Sequence, residues 1–387
     1  MIQKSDPREG KLRAAEVLRD LVAIPTESAV TNLPVIAYAE RILLAHGWHT
    51  RRMTYRDASG IEKRNLVAVP EQHESSLPRV ELAFVCHTDT VPYRPEWPDA
   101  LQLREADGML HGCGACDVKG SLACLLAAVA ETDAKELQWP VALVLTADEE
   151  IGCVGTTRLL AENAVQPRFA VVCEPTSLRP ATAGKGYGLA QVRIVGREAH
   201  SAFPEQGVSA VLVAAEMLCA IEAWGSDNAG LRDALFEPPR TTYNVGLVQG
   251  GSAKNIIPGA CAMTVEWRPL PEEDAAEGGR RLQALAREVE ARHVGCTIEV
   301  EVVRADAGFA RKADAKLGPR LAKILGRPEC GISFGSEATR FAKVAEEVVV
   351  IGPGDMQTAH SHRECVSAVQ LAEWTSTVKK LLRSTWD

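Results

Sequence analysis

The chain has 387 residues, of which 46% are hydrophobic and 24% charged, a balance typical of globular enzymes rather than of fibrous or disordered proteins. Its formal net charge of -8 argues against nucleic acid or an anionic membrane surface as a partner. The length exceeds what one ordinary core can hold, so we expect two domains, or one large domain with an insertion.

The N-terminal sequence and the cysteines predict a cytoplasmic protein. The stretch MIQKSDPREGKLRAAEVLRDLV leads into an amphipathic helix and lacks the apolar segment of a signal peptide. No stretch approaches the ~20 uninterrupted apolar residues of a membrane span. The eleven cysteines are scattered, often within apolar runs, as reduced thiols are. Only Cys113 and Cys116 form a CxxC pair, and we interpret them as non-catalytic thiols.

The first half of the chain alternates short β-rich runs with helical patterns. The patterns predict strands at 65–70, 80–86, 141–147 and 169–174, and helices at 10–23, 31–46, 118–133 and 155–164. Strands this apolar, separated by helices, favour a largely parallel sheet with helices on both faces. Ligands on such sheets bind beyond the carboxyl ends of the strands, so the charged residues that follow these strands become site candidates.

The pattern changes near residue 186. Strands at 187–196, 242–249, 259–268 and 297–303 and helices at 207–224 and 272–293 give the order β-α-β-β-α-β of a ferredoxin-like unit. After it the earlier style resumes, with helices at 314–325, 337–343 and 365–383 and a strand at 348–352. We therefore predict an α/β catalytic domain in two parts, 1–185 and 304–387, interrupted by an inserted α+β domain at 186–303.

Two polar motifs follow the second predicted strand. His87 and Asp89 end the run VELAFVCHTD, where the alternation of an extended chain places both side chains on one side. An Asp in this position can orient the histidine ring beside a metal, but a simple strand-end turn is also consistent. Asp117 in HGCGACDVKG stands where a helix N-cap belongs, and capping is the alternative to a ligand role there.

The stretch TADEEIG ends a later apolar strand with Asp148, Glu149 and Glu150. If the backbone stays extended, the two glutamates face opposite ways, so one could bind a metal while the other acts as a base. The residues alone do not say which is which. Asp148 we interpret as a turn residue or a support for its neighbours.

Further candidate ligands come later in the chain. Glu174 ends the run FAVVCE, and His360 and His362 lie in a loop after a late strand. A lone loop histidine is usually only a solvated side chain, but histidines and carboxylates that converge on one sheet edge, without thiolates, suit zinc, cobalt or manganese. Two such metals ~3.5–4 Å apart, joined by a bridging carboxylate, would support hydrolysis.

The order of these motifs resembles the co-catalytic zinc aminoacylase and carboxypeptidase superfamily over nearly the whole chain. Within it, the phrases HTDTVP, TADEE, EPTSLRP, WRPLP and GPGDMQTAH are similar to those of the acetylornithine deacetylases. The resemblance implies a zinc-exopeptidase-like sheet, an inserted lid and dimerisation domain, and a homodimer that carries two zinc or cobalt ions per subunit.

The resemblance also implies metal-site roles. Asp117 would bridge the two metals, with His87 and Glu174 completing one site. Glu150 and His360 would complete the other. Glu149 would be the general acid and base, and Asp89 would hold His87.

Substrate-site roles follow in the same way. His200 in GREAHSAFP would stabilise the oxyanion and reach the partner subunit's site. The residues matching the family's substrate-binding positions are Asn255, Arg268, Gly335 and Ser336. Arg268 would pair with the substrate's α-carboxylate, because its planar fork binds a carboxylate through two hydrogen bonds.

The implied reaction is hydrolysis of the amide bond of an N-acyl-L-amino acid, with N-acetyl-L-ornithine of arginine biosynthesis as the first candidate. N-acetylcitrulline, N-succinyl-diaminopimelate, a broad aminoacylase activity and a dipeptidase activity are the alternatives. Arg340 in GSEATRF differs from the similar enzymes, and in the pocket it would favour a neutral or acidic side chain over ornithine. A metal-bearing protein without activity is disfavoured because every motif position is filled. The glycine-rich GLVQGGSAKN lacks the spacing of a nucleotide loop.

Overall fold

The computed structural model describes residues 13–226 and 230–385. The helices are α1 (Ala14–Val22), α2 (Leu33–Ala45), α3 (Lys119–Ala130), α4 (Val154–Ala161), α5 (Ala210–Ser226), α6 (Glu277–Glu290), α7 (Leu317–Leu325), α8 (Ala338–Phe341) and α9 (Ala368–Leu382). The first nine strands are β1 (Trp48–Arg56), β2 (Glu62–Pro70), β3 (Arg79–His87), β4 (Arg104–Ala106), β5 (Met109–His111), β6 (Val141–Thr146), β7 (Gln166–Val172), β8 (Ala181–Gly184) and β9 (Tyr187–Val195). They are followed by β10 (Ala199–His200), β11 (Thr242–Gly250), β12 (Ile256–Ile257), β13 (Ala260–Arg268), β14 (Thr297–Asp306), β15 (Cys330–Ile332), β16 (Glu347–Val350) and β17 (Cys365–Ser367). Among the described residues no helix is both long and apolar enough to cross a membrane.

The chain divides into two compact units. The first runs to Thr182 and resumes over Arg311–Cys330 and from Ser336 onward; the second comprises Ala183–Ala310 and Gly331–Gly335. The predicted inserted range, 186–303, falls within the second unit. Its action as a lid or as a dimerisation domain stays a prediction.

The first unit is built on an eight-stranded sheet of order β1-β2-β6-β3-β7-β16-β8-β15. The central pairs β6–β3, β3–β7 and β7–β16 are parallel, whereas β1–β2, β2–β6 and β16–β8 are antiparallel. Every residue of the central strand β6, VALVLT, is buried, which a strand covered on both faces requires. The predicted α/β fold with a mostly parallel sheet and flanking helices is confirmed.

The parallel strands bring their carboxyl ends to one edge of this sheet. His87 is the last residue of β3, and β6 ends at Thr146, shortly before the Glu149–Glu150 pair. Strand β7 ends at Val172, two residues before Glu174. Helix α3, buried along nearly its whole length, packs against α1 and α9 and begins two residues after Asp117. The apolar runs thus fix the starting points of the polar loops.

The second unit holds a four-stranded antiparallel sheet of order β11-β13-β9-β14. Its strands and the helices α5 and α6 follow one another in the predicted order β-α-β-β-α-β. Alternate residues of β9 and β13 are buried and pack with the two helices in one apolar cluster. The other side of each strand is more polar, as expected for a sheet with helices on one face.

The hydrophobic pattern missed strand β1 and the shortest strands. In β1, WHTRRMTYR, only Trp48 and Met53 are buried, because this strand lies at the edge of the sheet. The strands β17, β5 and β4 form a small separate sheet of three residues each, too short for a periodic signal. The first predicted helix began at residue 10, and its residues 10–12 lie outside the described part of the chain.

Candidate metal centre

Five predicted ligand residues lie together at the carboxyl edge of the first unit's sheet. His87 Nε2 is 3.1 Å from Asp117 Oδ1 and 3.9 Å from Glu174 Oε1. His360 Nε2 is 3.1 Å from Asp117 Oδ2 and 3.3 Å from Glu150 Oε1. In each trio, ligand atoms from the three residues all lie within 4.8 Å of one another. Asp117 belongs to both trios and offers one oxygen to each.

Asp117 does not cap helix α3. The N-cap position is occupied by Val118, and no side chain makes a capping hydrogen bond there. The capping alternative is therefore wrong, because the Asp117 carboxylate faces two histidines instead of the helix. Burial would raise the pKa of Asp117, but the hydrogen bonds of His360 and His87 outweigh it and hold that pKa below its usual range.

The backbone around Asp117 is held by Glu364, which the sequence analysis did not single out. Its Oε1 accepts hydrogen bonds from the N–H groups of Cys116, at 3.0 Å, and Asp117, at 3.1 Å. Its Oε2 accepts from Gly114 N at 3.0 Å. Glu364 is buried and follows His360 by four residues, so it ties the late loop to the loop of Asp117. Its nearness to His360 was the only signal in the sequence.

Asp89 orients more than the histidine ring. Its carbonyl oxygen lies 3.0 Å from His87 Nδ1, which turns Nε2 towards Asp117, whereas its Oδ1 is 3.7 Å from the same nitrogen. The Asp89 carboxylate accepts hydrogen bonds from Glu149 N at 3.1 Å and Glu150 N at 3.2 Å. Asp89 therefore also fixes the backbone of the two adjacent glutamates.

The Glu149–Glu150 segment is not extended. Asp148 has a φ of 58°, in the left-handed region, and Gly152 N donates to Glu149 O at 2.8 Å to close a turn. The premise of an extended backbone is wrong, but the two side chains do have different partners. Glu150 faces His360, and Glu149 Oε1 accepts from the thiol of Cys153 at 3.3 Å.

Burial tunes the acidity of Glu149. Loss of solvent raises the pKa of this carboxyl to about 8, with neighbouring carboxylates adding to the shift and His87 opposing it. The penalty is the cost of keeping a charged carboxylate away from water. Glu149 is a neighbour of the ligand residues but belongs to neither trio. Cations bound at the two trios would oppose this shift, because a positive charge nearby favours the ionised carboxylate.

A second buried carboxylate near the site, that of Glu337, was also not predicted from the sequence. It is 1% exposed, and its Oε1 accepts hydrogen bonds from the hydroxyls of Thr146, at 2.6 Å, and Thr156. Burial raises its pKa above the usual range. The neighbouring Ser336, predicted to meet the substrate, is buried and its Oγ accepts from Ala338 N at 3.3 Å. Nothing in GSEATRF distinguished Glu337 as buried.

Arg340 lies in helix α8 and is half-buried. Burial raises the pKa of the Cys153 thiol, and Glu149 and Glu337 raise it further, while the positive charge of Arg340 opposes them. Arg340 thus acts on the same thiol that contacts Glu149. Its contact with a substrate side chain stays a prediction.

An open cavity of about 730 Å³ adjoins His360 within the first unit. Its lining includes Tyr93, Arg94, Trp97, Cys113, His362 and Arg363. The second late histidine, His362, is exposed and belongs to neither trio. Burial raises the pKa of the Cys113 thiol to about 11, and all eleven cysteines are free. A neutral thiol at this position agrees with its interpretation as non-catalytic.

The remaining predicted residues belong to the second unit. His200 and Asn255 are exposed and lie at the pairing of β10 with β12, where Ser201 N donates to Asn255 O at 3.0 Å. The guanidinium of Arg268 stacks 4.4 Å above the ring of Tyr187. A Cβ placed on Gly335 would lie 3.7 Å from Arg268 Nη1, so this glycine and the arginine are neighbours. The roles of these four residues stay predictions.

Comparison with known proteins gives one consistent family. The model of Peptidase family M20/M25/M40 matches residues 83–384. An acetylornithine deacetylase of Myxococcus xanthus is 42% identical over 357 residues, covering 92% of this chain and 92% of its own length.

Solved structures agree in fold. A tripeptidase of Staphylococcus aureus superposes with a TM-score of 0.78 at 21% identity, over 97% of this chain and 98% of that one. A dinuclear metal-binding M20 peptidase of Bacillus subtilis gives a TM-score of 0.65 at 13% identity, over 95% and 96% of the two chains. The extent of these matches, together with the strand-end ligand motifs, leads to one conclusion: the chain belongs to peptidase family M20/M25/M40.

Proposed function

We propose that this chain hydrolyses the amide bond of N-acetyl-L-ornithine, releasing L-ornithine and acetate. The observation that carries the proposal is the pair of ligand trios joined by Asp117, since a shared carboxylate is what a two-metal hydrolytic site requires. The substrate is suggested by the relative that is 42% identical and is named acetylornithine deacetylase. The chain is a metallo-amidohydrolase, and the choice of acyl amino acid is the finer part of the proposal.

The donor atoms fit two divalent cations, zinc or cobalt. His87 and Glu174 would hold one cation with Asp117, and Glu150 and His360 would hold the other. Nitrogen and oxygen donors without thiolate suit these metals. Carboxylates crowded in a buried space are costly unless a cation neutralises them. When bound, the two cations would polarise the scissile carbonyl and lower the pKa of the attacking water.

Glu149 moves the proton in this proposal. Its carboxylate takes a proton from the attacking water, and its carboxylic acid returns that proton to the departing nitrogen. The Asp89 carboxylate accepts hydrogen bonds from the backbone N–H groups of Glu149 and Glu150. These bonds fix the backbone of both residues, which supports different roles for their side chains. One holds a cation and the other stays free to exchange its proton.

The second unit would supply the substrate contacts. His200 would donate to the developing oxyanion, acting in the partner subunit's site, and Arg268 would pair with the α-carboxylate through two hydrogen bonds. Asn255 and Gly335, with Ser336 from the first unit, would complete the substrate site. Because Gly335 lies next to the Arg268 guanidinium, both residues could contact the same carboxylate.

We also propose a cytoplasmic homodimer that acts in arginine biosynthesis. Dimerisation through the second unit is supported by large exposed apolar side chains on α5 and β11, which pack against each other: Leu212, Leu247 and Val248. Exposed apolar patches on a folded protein often mark an interaction surface. The pathway follows from the proposed substrate.

A substrate panel tests the proposal. The zinc- or cobalt-loaded protein is given N-acetyl-L-ornithine, N-acetyl-L-citrulline, N-acetyl-L-methionine and N-succinyl-diaminopimelate, and amine release is measured. We expect the highest kcat/KM for N-acetyl-L-ornithine. A clear preference for another member would replace the substrate and keep the reaction class. No amine from any member would overturn the reaction class.

A further inference from the structure

A buried lysine of strand β2 connects the two carboxylates that hold the Glu149–Glu150 segment. We propose that Lys63 is a positioning residue for the reaction: it fixes the backbone of Glu149 and Glu150 by binding Asp148 directly and Asp89 through Ser28. This inference rests on the proposed function, in which Glu149 moves the proton. Neither the motifs nor the comparisons assign a role to Lys63.

The ammonium of Lys63 is fully engaged inside the protein. The residue is 1% exposed, and its Nζ donates to Ser28 O and Val30 O, each at 2.7 Å. Its third neighbour is Asp148 Oδ1 at 2.8 Å. Two hydrogen bonds to backbone carbonyls and an ion pair with Asp148 thus hold the ammonium in place.

Asp148 carries the first connection. Its side chain is fully buried and also accepts a hydrogen bond from the Tyr55 hydroxyl at 2.8 Å. The left-handed φ of 58° is uncommon for a residue other than glycine and persists where the surroundings enforce it. Asp148 directly precedes Glu149. The contacts of its carboxylate with Lys63 and Tyr55 therefore fix the backbone conformation at the start of the Glu149–Glu150 segment.

Ser28 carries the second connection. Its hydroxyl donates to Asp89 Oδ2 at 2.7 Å, while its carbonyl oxygen accepts from Lys63. The Asp89 carboxylate in turn accepts hydrogen bonds from the N–H groups of Glu149 and Glu150. Lys63 therefore acts on the segment from two directions, through the residue before it and through the carboxylate that binds its backbone.

The effect on the reaction follows from the distances that proton transfer requires. A displacement of about 1 Å at a reacting group can lower turnover by about a hundredfold. Buried ion pairs are weak sources of stability compared with apolar replacements. The Lys63–Asp148 pair lies directly beside Glu149, the proton-transfer residue. Its location therefore favours a role in positioning Glu149 over a role in stabilising the fold.

The test compares Lys63→Met with Lys63→Met/Asp148→Asn, a double variant that leaves no unpaired charge if the single variant fails to fold. Amine release from N-acetyl-L-ornithine gives kcat and KM, and bound metal and the unfolding midpoint are measured alongside. We expect both variants to keep their metal and a KM within about twofold of wild type, with kcat lowered about tenfold or more. The double variant should recover the unfolding midpoint but not kcat.

Glu347→Gln is the matched control. Glu347 is buried at the opposite end of the same sheet, where its carboxylate accepts from Lys316 N, Leu317 N and Gly318 N at 2.7–2.8 Å. This variant should lower the unfolding midpoint and leave kcat unchanged. If it lowers kcat as Lys63→Met does, or if the double variant regains wild-type kcat, the positioning role is overturned. An inactive wild-type protein would instead refute the proposed function, so the two failures are distinguishable.

Discussion

The two ligand trios share Asp117 but differ in how the chain holds their other members. His87 ends one buried strand and Glu174 closely follows another, and their side chains are 1% and 3% exposed. In the second trio the side chain of Glu150 is 9% exposed, but His360 lies in a loop and its side chain is 49% exposed. Side chains fixed by packing lose little conformational freedom when they bind a ligand, whereas mobile ones lose more. The difference indicates that one cation would meet a preformed site and the other a site that adjusts.

The largest effect is expected at a residue that belongs to neither trio. Glu149→Gln keeps the shape of the side chain but cannot accept and return a proton, so kcat should fall by about two to four orders of magnitude. Metal content and the unfolding midpoint should stay at wild-type values, because both trios are intact. Turnover assays and metal analysis of the purified variant check this. Near-wild-type turnover would remove Glu149 from the proton-transfer role.

The comparison itself is tested by removing one histidine from each trio. In metal-free protein, His87→Ala leaves buried carboxylates without their cationic partner, and we expect it to lower the free energy of unfolding by about 3–5 kcal/mol. His360→Ala removes a half-exposed partner and should cost less than about 1 kcal/mol. Urea unfolding curves of the two variants measure both values. Equal losses would contradict the distinction between a rigid and an adaptable trio.

Glu364 should matter more to metal affinity than to folding. Glu364→Gln weakens the cradle of N–H groups around Asp117, and changes of this kind cost about 10–100-fold in metal affinity. Because Glu364 also belongs to the loop of His360, we expect the weaker of two binding phases in a zinc titration to lose more. Glu347→Gln serves as the control, with both phases unchanged. A uniform loss in the two phases would argue against a difference between the trios.

The smallest effect per unit of change concerns pH. Hydrogen bonds to Asp117 and Glu150 raise the pKa of His360 to about 10, so this imidazole carries a proton at neutral pH. That proton stabilises the metal-free protein fully below the ordinary pKa of about 6.5, and the contribution is lost as pH rises through about 10. A cation that takes Nε2 must displace the proton, so metal affinity at the trio of His360 should rise by about tenfold per pH unit between pH 6 and 8.

Calorimetric titration in two buffers of different ionisation enthalpy measures this proton release. His360→Gln is the control, because it has no proton to lose and its remaining affinity should depend less on pH. An unchanged release in that variant would assign the proton to another group.

Much of the site could be predicted because apolar strands mark their own ends. His87 and Glu174 are found by following buried runs to the first polar residue, and the parallel pairing of β3 with β7 then places them side by side. The family resemblance supplied the separate duties of Glu149 and Glu150, which alternation along a strand could not provide. The turn at Asp148, with its left-handed backbone, has no signature in TADEEIG.

The supporting residues were beyond sequence reasoning for a physical reason. Glu364 binds an N–H group 250 positions away, and Lys63 binds Asp148 from another strand, so neither contact leaves a local pattern. In EKRNLVAVP, Lys63 has the polar character of an exposed strand residue, although it is 1% exposed. Edge strand β1 was missed because few of its side chains are buried. Burial of a charge is decided by partners that only the fold assembles.

Asp117 brings a single negative charge to two places at once, since its two oxygens face different histidines. The first cation to bind would draw on most of that charge, and the second would meet a carboxylate already partly neutralised as well as a like charge nearby. Loading would then be stepwise, with unequal affinities even if the surrounding donors were identical. The affinity at one position would depend on whether the other is occupied. The two positions would therefore behave as one coupled site that holds no cation, one or two.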